Sequence, residues 1–597
     1  MNQEHITIKL TEQGTIPYLS DIYPEGLPEG IVLNKTICGL GATYSCIKKA
    51  CHTIIIELNL PVIQSKIYTP IHAEDNLFGV IGGTKTEDIV SYIKRTLKKG
   101  KFINILCTPE SYYKLQDALI ETMGDSYYSE IFFVLDEIQK YVIDDGYRDF
   151  SLNEIMEEFW KYDKRSVVSA TPLLADDPRY QECNMKEVIL EPEWDFKSPL
   201  SLILTNDVGR SLNTLISENI DQTIFIACNS VKLIRTYIRD TQTEHESVIF
   251  CARETAREVD REEVSVYSDW NAENIKRINW MTSRFWTGFD LDDIPQPPIV
   301  IMLSNPNLVE HTMIDPMIDA VQIVGRFRKG ISKAYHISDI NASYKYRTDE
   351  NIKGYLDAYR ECYNKIKALM EVEPDEDYKM ALREVLDNCT WSKCLNGNGE
   401  KNHLAVSFNA HKLRLQSIYS SSEAMEERYQ KAPFVTTVKY ELHDERVLRI
   451  KKMPGRWRQR KEMMDILDQL KKFENGKYEE LLQEYQQIDR WFIDAYCTLG
   501  SQIIKHCHYK TSLINREISK LKADRNKLKG EVIQTVKTSF IVGESYKRND
   551  IKSMLIDIYR QYNIKAKAKA SDIKLYFDVK ECKIHGESAY KLIEPLF

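Results

Sequence analysis

Short apolar runs of about five residues recur through the first half of the chain, each followed by a charged stretch long enough for a helix. Residues 31–33, 53–58, 102–107, 131–136 and 166–169 are rich in Ile, Val and Phe and are bounded by Gly, Pro, Asn or Lys. A strand buried on both faces shows continuous apolar character instead of alternation, and parallel neighbours require helical crossovers. The pattern therefore predicts a parallel α/β sheet. A second series, 223–227, 247–251, 278–281 and 299–303, follows a linker around Glu191-Pro192-Glu193-Trp194. Two α/β blocks in tandem are expected.

At 597 residues the chain is too long for one core, and domains of about 100–200 residues each are expected. The chain is expected to divide into an α/β block over 1–195, a second over 196–340, a mixed accessory region over 341–445, a basic helical region over 446–538, and a small α+β end over 539–597. Within the accessory region, 349–386 reads as helix with a break at Glu373-Pro374, and 404–408 reads as a strand. The end, read as helix, helix and hairpin, is compatible with a winged helix. It is expected to read DNA or to dock a protein.

No apolar stretch approaches the roughly 20 residues that span a bilayer, and the first residues lack a basic and apolar leader. Thirteen cysteines form no dense framework, which favours a reducing compartment. A cytoplasmic protein without a membrane partner is expected. The net charge of −8 hides an asymmetry, because Lys and Arg outnumber Asp and Glu from about Arg446 onward. The densest basic run includes Arg456-Trp457-Arg458. Trp457 there could stack on a base while its neighbours meet phosphates, or the run could be a solvated helix start.

The run 131–136 ends in Asp136, followed by Glu137. A parallel strand delivers such a pair to the sheet edge where ligands of open α/β sheets bind. Asp136 could hold Mg2+ and Glu137 could polarise a water; alternatively, both cap the next helix. Further on, Ser169-Ala170-Thr171-Pro172 again follows an apolar run, and its hydroxyls could bond those carboxylates. Upstream lies Asn34-Lys35-Thr36-Ile37-Cys38-Gly39-Leu40-Gly41-Ala42-Thr43. Gly39 and Gly41 would let backbone N–H groups turn toward phosphate, and Thr43 would offer its hydroxyl to Mg2+. Against the pattern G-x-x-x-x-G-K-[ST], Ala42 stands in the lysine slot and Thr36 in the first glycine slot. Either Lys35 supplies the missing cation or the site is weak or dead. In the second block, Gln322-Ile-Val-Gly325-Arg326-Phe-Arg328-Lys329 is expected to open a helix. Its arginines could face a nucleotide on the neighbouring domain.

The order of these elements resembles the superfamily 2 helicases over roughly residues 25–340. Residues 34–43 look like motif I; Asn59 to Lys66, with Pro61 and Ser65, like Ia; Cys107 to Ser111, with Thr108 and Pro109, like Ib. Asp136-Glu137-Ile138-Gln139 looks like II, Ser169-Ala170-Thr171 like III, and Asn229-Ser230 occupies the place of IV. Thr282 to Asp290, including Gly288, resembles V, and Gln322 to Arg328 resembles VI. Motif VI usually reads Q-x-x-G-R-x-x-R; here Arg326 matches the first arginine, Arg328 falls one residue early and Lys329 fills the last slot.

The resemblance implies two tandem RecA-like domains with a mostly helical C-terminal region and a winged-helix-like end. It also implies ATP and Mg2+ in the interdomain cleft, with Gly288 and Asp290 among the nucleotide contacts. Motifs Ia, Ib, IV and V would run along a nucleic-acid strand. The variant motifs look most like divergent helicases of bacteriophages and mobile elements, which implies DNA, single- or double-stranded, and replication or recombination proteins as partners. The alternatives carried forward are a catalytically inactive nucleic-acid scaffold and an RNA-directed ATPase.

Overall fold

The structure is a computed structural model that describes residues 1–259, 264–286, 291, 294–441, 445–471, 477–564 and 567–596. The chain forms two compact units, 1–442 and 443–597.

The first unit holds two eight-stranded sheets, both parallel throughout. Sheet one contains β1 (Asn2–Ile8), β2 (Ile31–Asn34), β3 (His52–Ile56), β4 (Leu77–Val80), β5 (Asn104–Cys107), β6 (Ile131–Asp136), β7 (Lys164–Ser169) and β8 (Lys186–Pro192). Its order is β1-β8-β2-β7-β6-β3-β5-β4. Every residue of β5 and β6 is buried, because helices cover both faces. Ile54, Ile105, Phe133 and Leu135 point into one core, and Ile55, Leu106, Phe132 and Val134 into the other. This alternation is the two-residue period of a strand expressed between two apolar layers.

Sheet two contains β9 (Ser198–Thr205), β10 (Ile224–Ala227), β11 (Ser247–Phe250), β12 (Ser265–Tyr267), β13 (Ile278–Met281), β14 (Ile299–Ser304), β15 (Lys333–Ser338) and β16 (Phe434–Glu441). The order is β12-β11-β13-β10-β14-β15-β9-β16. These are tandem RecA-like lobes, and the second takes its last strand from residues well beyond 340.

The run 404–408 is not a strand. It opens the helix His403–Ile418, where Asn402 accepts a hydrogen bond from the Ala405 N–H. A five-residue apolar run fits either geometry, and burial on several sides with a capping Asn decides for helix. The helix braces the two lobes. Leu404 is buried in the core of the first, Ile418 and Tyr419 in that of the second. Phe408 lies so close to Gly146 that a Cβ there would come within 2.7 Å of its ring.

In the second unit, five helices between residues 445 and 527 surround Met463, Leu467, Tyr485 and Phe492. The end follows as helix Gly530–Ser539, β17 (Ser545–Lys547), helix Arg548–Gln561, a 3-10 segment Ala570–Leu575, β18 (Phe577–Ile584) and β19 (Glu587–Pro595). This is a winged-helix order, closed by an antiparallel sheet β17-β19-β18. No helix among the described residues is long and apolar enough to cross a membrane.

A buried polar network locks the second lobe to its bracing helices. The Ser304 hydroxyl lies 2.8 Å from His336 Nε2 and 2.7 Å from the Tyr419 hydroxyl, and His336 Nδ1 lies 2.7 Å from the Tyr429 hydroxyl. Burial pushes the His336 imidazole down from 6.5 to about 3. Below pH 6.5 the unfolded chain therefore takes up a proton that the native lobe refuses, and stability is lost as pH falls. The loss should be about 2 kcal/mol between pH 7 and 5, at about 1.4 kcal/mol per pH unit. Denaturant titrations should show that slope flattened in His336→Gln; an unchanged slope would contradict the assignment.

Candidate functional site

Three neighbouring strands, β2, β7 and β6, bring the candidate residues to one sheet edge. Lys35 follows β2, Ser169 ends β7, and Asp136 ends β6 with Glu137 next. The Lys35 N–H donates to the Ser169 carbonyl at 2.8 Å, closing the seam between the first two. Beyond Lys35 the chain turns through Thr36 (φ +59°), Gly39 (φ +88°) and Gly41 (φ +73°) into the helix Ala42–Lys48. Thr36, in the first glycine slot, adopts the left-handed conformation that glycine would take at lower cost.

Thr43 Oγ1 donates to Asp136 Oδ2 at 2.7 Å, which brings together the two residues expected to hold Mg2+. Ala42 is buried at the start of the helix. Glu137 sits at φ +50°, an uncommon conformation for a non-glycine residue. Its Oε2 accepts from Gln139 Nε2 at 2.7 Å. Gln139 in turn accepts from the Ser169 hydroxyl at 2.6 Å.

Lys35 is only 6% exposed. Burial disfavours its charge, but the carboxylates of Glu137 and Asp136 outweigh that cost and hold the ammonium above the ordinary lysine value. For Glu137 burial again acts against the charge, while Lys35 and then Arg326 overcome it and hold the carboxyl below its usual range. Glu57, just past β3, goes the other way: burial, then Asp136 and Glu137, push it well up.

The second lobe closes on this edge. Gln322 Nε2 donates to Glu137 Oε2 and to Thr171 Oγ1, both at 3.1 Å. Arg326 Nη2 lies 3.8 Å from Glu137 Oε1, and its Nε donates to the Gln322 carbonyl. Arg328 lies against Gly39, where a Cβ would come within 2.6 Å of its guanidinium. Gly325 is equally constrained, since a Cβ there would meet Cys38 Sγ at 2.6 Å. The basic run was expected to open a helix, but it closes one: Asp319–Gly325 ends as Arg326 is reached, and Gly330 (φ +86°) turns the chain away. The arginines are thus presented from a helix C-terminus.

Beside this contact, a cleft of about 1040 Å³ runs between the lobes. Pro61, Thr108, Asn229, Ser230 and Thr282 line it, from both lobes. Ser65 and Lys66 lie on the helix Leu60–Tyr68 that starts there, with the Ser65 hydroxyl donating to the Val62 carbonyl, and Pro109 is buried. Gly288 and Asp290 lie outside the described residues. Sequence reasoning missed the cations of the cleft: Lys140, Arg148, Lys232, Arg235, Arg239 and Arg284 line it together with Glu110, Asp144 and Glu254. Lys232, Arg235 and Arg239 stand three and four apart on the helix Val231–Thr241, a one-face spacing readable in the sequence. Tyr18 lies beside the glycine turn. It is 63% exposed, with its ring 3.3 Å from where a Gly41 Cβ would lie.

Elsewhere, Arg456, Trp457 and Arg458 are exposed in the second unit. No group of three His, Cys, Asp or Glu side chains is arranged for a metal ion among the described residues. A metal at Asp136 and Thr43 would need further ligands from phosphate and water, the usual situation for Mg2+.

No family model matches this chain, and no curated protein matches it. Solved structures do. The Mycobacterium smegmatis helicase Lhr bound to ssDNA and AMP-PNP aligns at 13% identity and a TM-score of 0.34, over 52% of this chain and 44% of that one. S. cerevisiae Dbp5 bound to RNA and ADP BeF3 aligns at 14% identity and 0.35, over 53% of this chain and 80% of that one. RecG bound to a three-way DNA junction aligns at 14% identity and 0.34, over 65% and 48%. The chain thus spans less than half of the Lhr and RecG chains.

The close approach of the lobes should fail if a side chain is added at Gly325. Gly325→Ala should cost about 1–3 kcal/mol of first-unit stability through overpacking against Cys38. Cys38→Gly in the same chain should return most of it, as contacting residues couple in a double-mutant cycle. Additive effects in thermal melts would contradict this contact.

Proposed function

We propose that the chain is an ATP-dependent nucleic-acid helicase or translocase, a DNA-directed motor of bacteriophage or mobile-element type that serves replication or recombination in the cytoplasm. The observation that carries the proposal is the interlobe contact: Gln322 bonded to both Glu137 and Thr171, with Arg326 facing Glu137. Acids at one sheet edge and guanidinium groups from a second lobe are what a shared triphosphate requires. The boundaries proposed for the lobes are 1–195 and 196–340, the second completed by β16 from within the accessory region (341–445), followed by basic helical (446–538) and winged-helix-like (539–597) regions.

The residues fit a nucleoside triphosphate with Mg2+. Lys35 is a buried cation that makes no direct ion pair among the described residues, so its charge remains available to phosphate. Gly39, Gly41 and Ala42 form the turn around it, and Thr43 with Asp136 would hold the metal, which would offset phosphate charge. Glu137, held ionised, takes the proton of an attacking water, and Gln139 and Gln322 fix its carboxylate. Arg326 or Arg328 stabilises charge on the transferred phosphoryl group. Gly288 and Asp290 are assigned to the nucleotide by motif resemblance alone. Opening and closing of the lobes would let Pro61, Ser65, Lys66, Thr108 and Pro109 on one side exchange grip on the strand with Asn229, Ser230 and Thr282 on the other.

A second reading, a scaffold that binds nucleic acid without turnover, is favoured by Ala42 in the usual lysine slot. The two readings separate on two variants. Glu137→Gln should lose turnover by at least about 100-fold while still binding a fluorescent ATP analogue, whereas Lys35→Ala should lose nucleotide affinity or turnover. Rates should be measured with ssDNA, dsDNA and RNA. Wild-type hydrolysis in both variants would reject the site, and no hydrolysis in the wild type with any polymer would favour the scaffold.

A further inference from the structure

The second unit carries the positive charge that the first lacks. Residues 443–597 hold 32 Lys and Arg against 22 Asp and Glu, whereas residues 1–442 hold 49 against 67. The excess is densest over 446–461, which contains eight Lys and Arg and no acid. Part of this stretch forms the turn Met453-Pro454-Gly455, with Gly455 at φ +85°, between the helices Glu445–Lys452 and Arg456–Leu470.

One arginine of the stretch is committed to the fold. Arg460 is 5% exposed; its Nε donates to Asp489 at 2.8 Å and its Nη1 to Thr511 at 2.9 Å, and it lies over the Trp491 ring. That anchor fixes the start of the helix. Lys452, Arg456, Arg458 and Lys461 are exposed, and none of them joins an ion pair among the described residues. Among them stands Trp457, 54% exposed, with the Arg458 guanidinium 5.7 Å from its ring centroid. An indole left in water among cations is a costly arrangement for a solvated helix start, since its apolar area goes unused. A membrane surface would call for an apolar face beside the cations; here the exposed neighbours of Trp457 are arginines.

We infer that this corner of the second unit is a separate grip for a single strand of nucleic acid, with a base stacked on Trp457 and phosphates met by Lys452, Arg456, Arg458 and Lys461. Stacking needs an unpaired base, which points to a single strand over a duplex. The inference takes its partner class from the proposed motor function, and its residues lie outside that machinery.

The test uses the full chain and fluorescein-labelled oligothymidylate, oligouridylate and duplex DNA over a range of salt. Arg456→Gln with Arg458→Gln should weaken single-strand binding about tenfold near 0.15 M salt and reduce the log–log salt slope by about 1.4, at roughly 0.7 per lost phosphate contact. Trp457→Ala should weaken binding by about 5- to 100-fold, and Trp457→Phe much less, because a phenyl ring still stacks. Circular dichroism melts and binding of a fluorescent ATP analogue should stay unchanged. Single-strand affinity equal to the wild type in both the Arg and the Ala variants would overturn the inference, as would a loss confined to the duplex. If Arg235→Ala in the cleft weakens binding while the corner variants do not, the inference falls and the motor reading stands. If the corner variants weaken binding but no polymer stimulates ATP hydrolysis, the inference stands and the motor reading falls.

Discussion

The carboxylate of Glu137 is the point on which the interlobe arrangement depends. It is buried at the edge of the first sheet and stays ionised only because cations from two directions outweigh the cost of burial, Lys35 from its own lobe and Arg326 from the other. Gln322 then ties the same carboxylate, through its other oxygen, to Thr171. Removing one partner from such a set leaves a buried charge without compensation, which is more damaging than never having built it. This set of partners is complete only with the lobes in contact.

Packing enforces the same geometry. Gly39 and Gly325 both stand at the interlobe contact, and each leaves room for a side chain of the opposite lobe, Arg328 in one case and Cys38 in the other. A third tie comes from outside both sheets: the helix His403–Ile418 buries Leu404 in one core and Ile418 in the other. Any opening of the lobes must either carry this helix with one of them or bend the chain at its ends. The brace thus restricts the motion that the proposed cycle would use, and Phe408 of the helix packs against Gly146 of the first lobe.

Much of this was legible in the sequence, for a physical reason. Strands buried on both faces, such as β5, β6, β10 and β13, are almost wholly apolar and stand out from their surroundings. The edge strands do not. β1 is mostly exposed and polar, β4 is half-buried, and β12 and β16 carry Ser, Thr, Lys and Glu. An edge strand borrows its stability from a neighbour, and its own sequence need not declare it. Three interior strands, β8, β9 and β15, also went unread, hidden by Lys, Glu, Pro or His within their spans. For the site, motif order pointed to Asp136, Glu137, Gln322 and Arg326. It could not show that Gln322 would bond Glu137 across the lobes, nor that Cys38 would fill the space above Gly325. Those are long-range packing facts that local spacing does not encode.

The central claim is that a guanidinium of the second lobe acts on a triphosphate held by the first. The most direct test is single-turnover ATP hydrolysis by Arg326→Ala at saturating ATP and single-stranded DNA, with nucleotide affinity measured alongside. The account expects a rate loss of about 100-fold or more, about 3 kcal/mol of lost charge stabilisation, with ATP affinity within a few-fold of the wild type. Hydrolysis at the wild-type rate in this variant and in Arg328→Ala alike would contradict it.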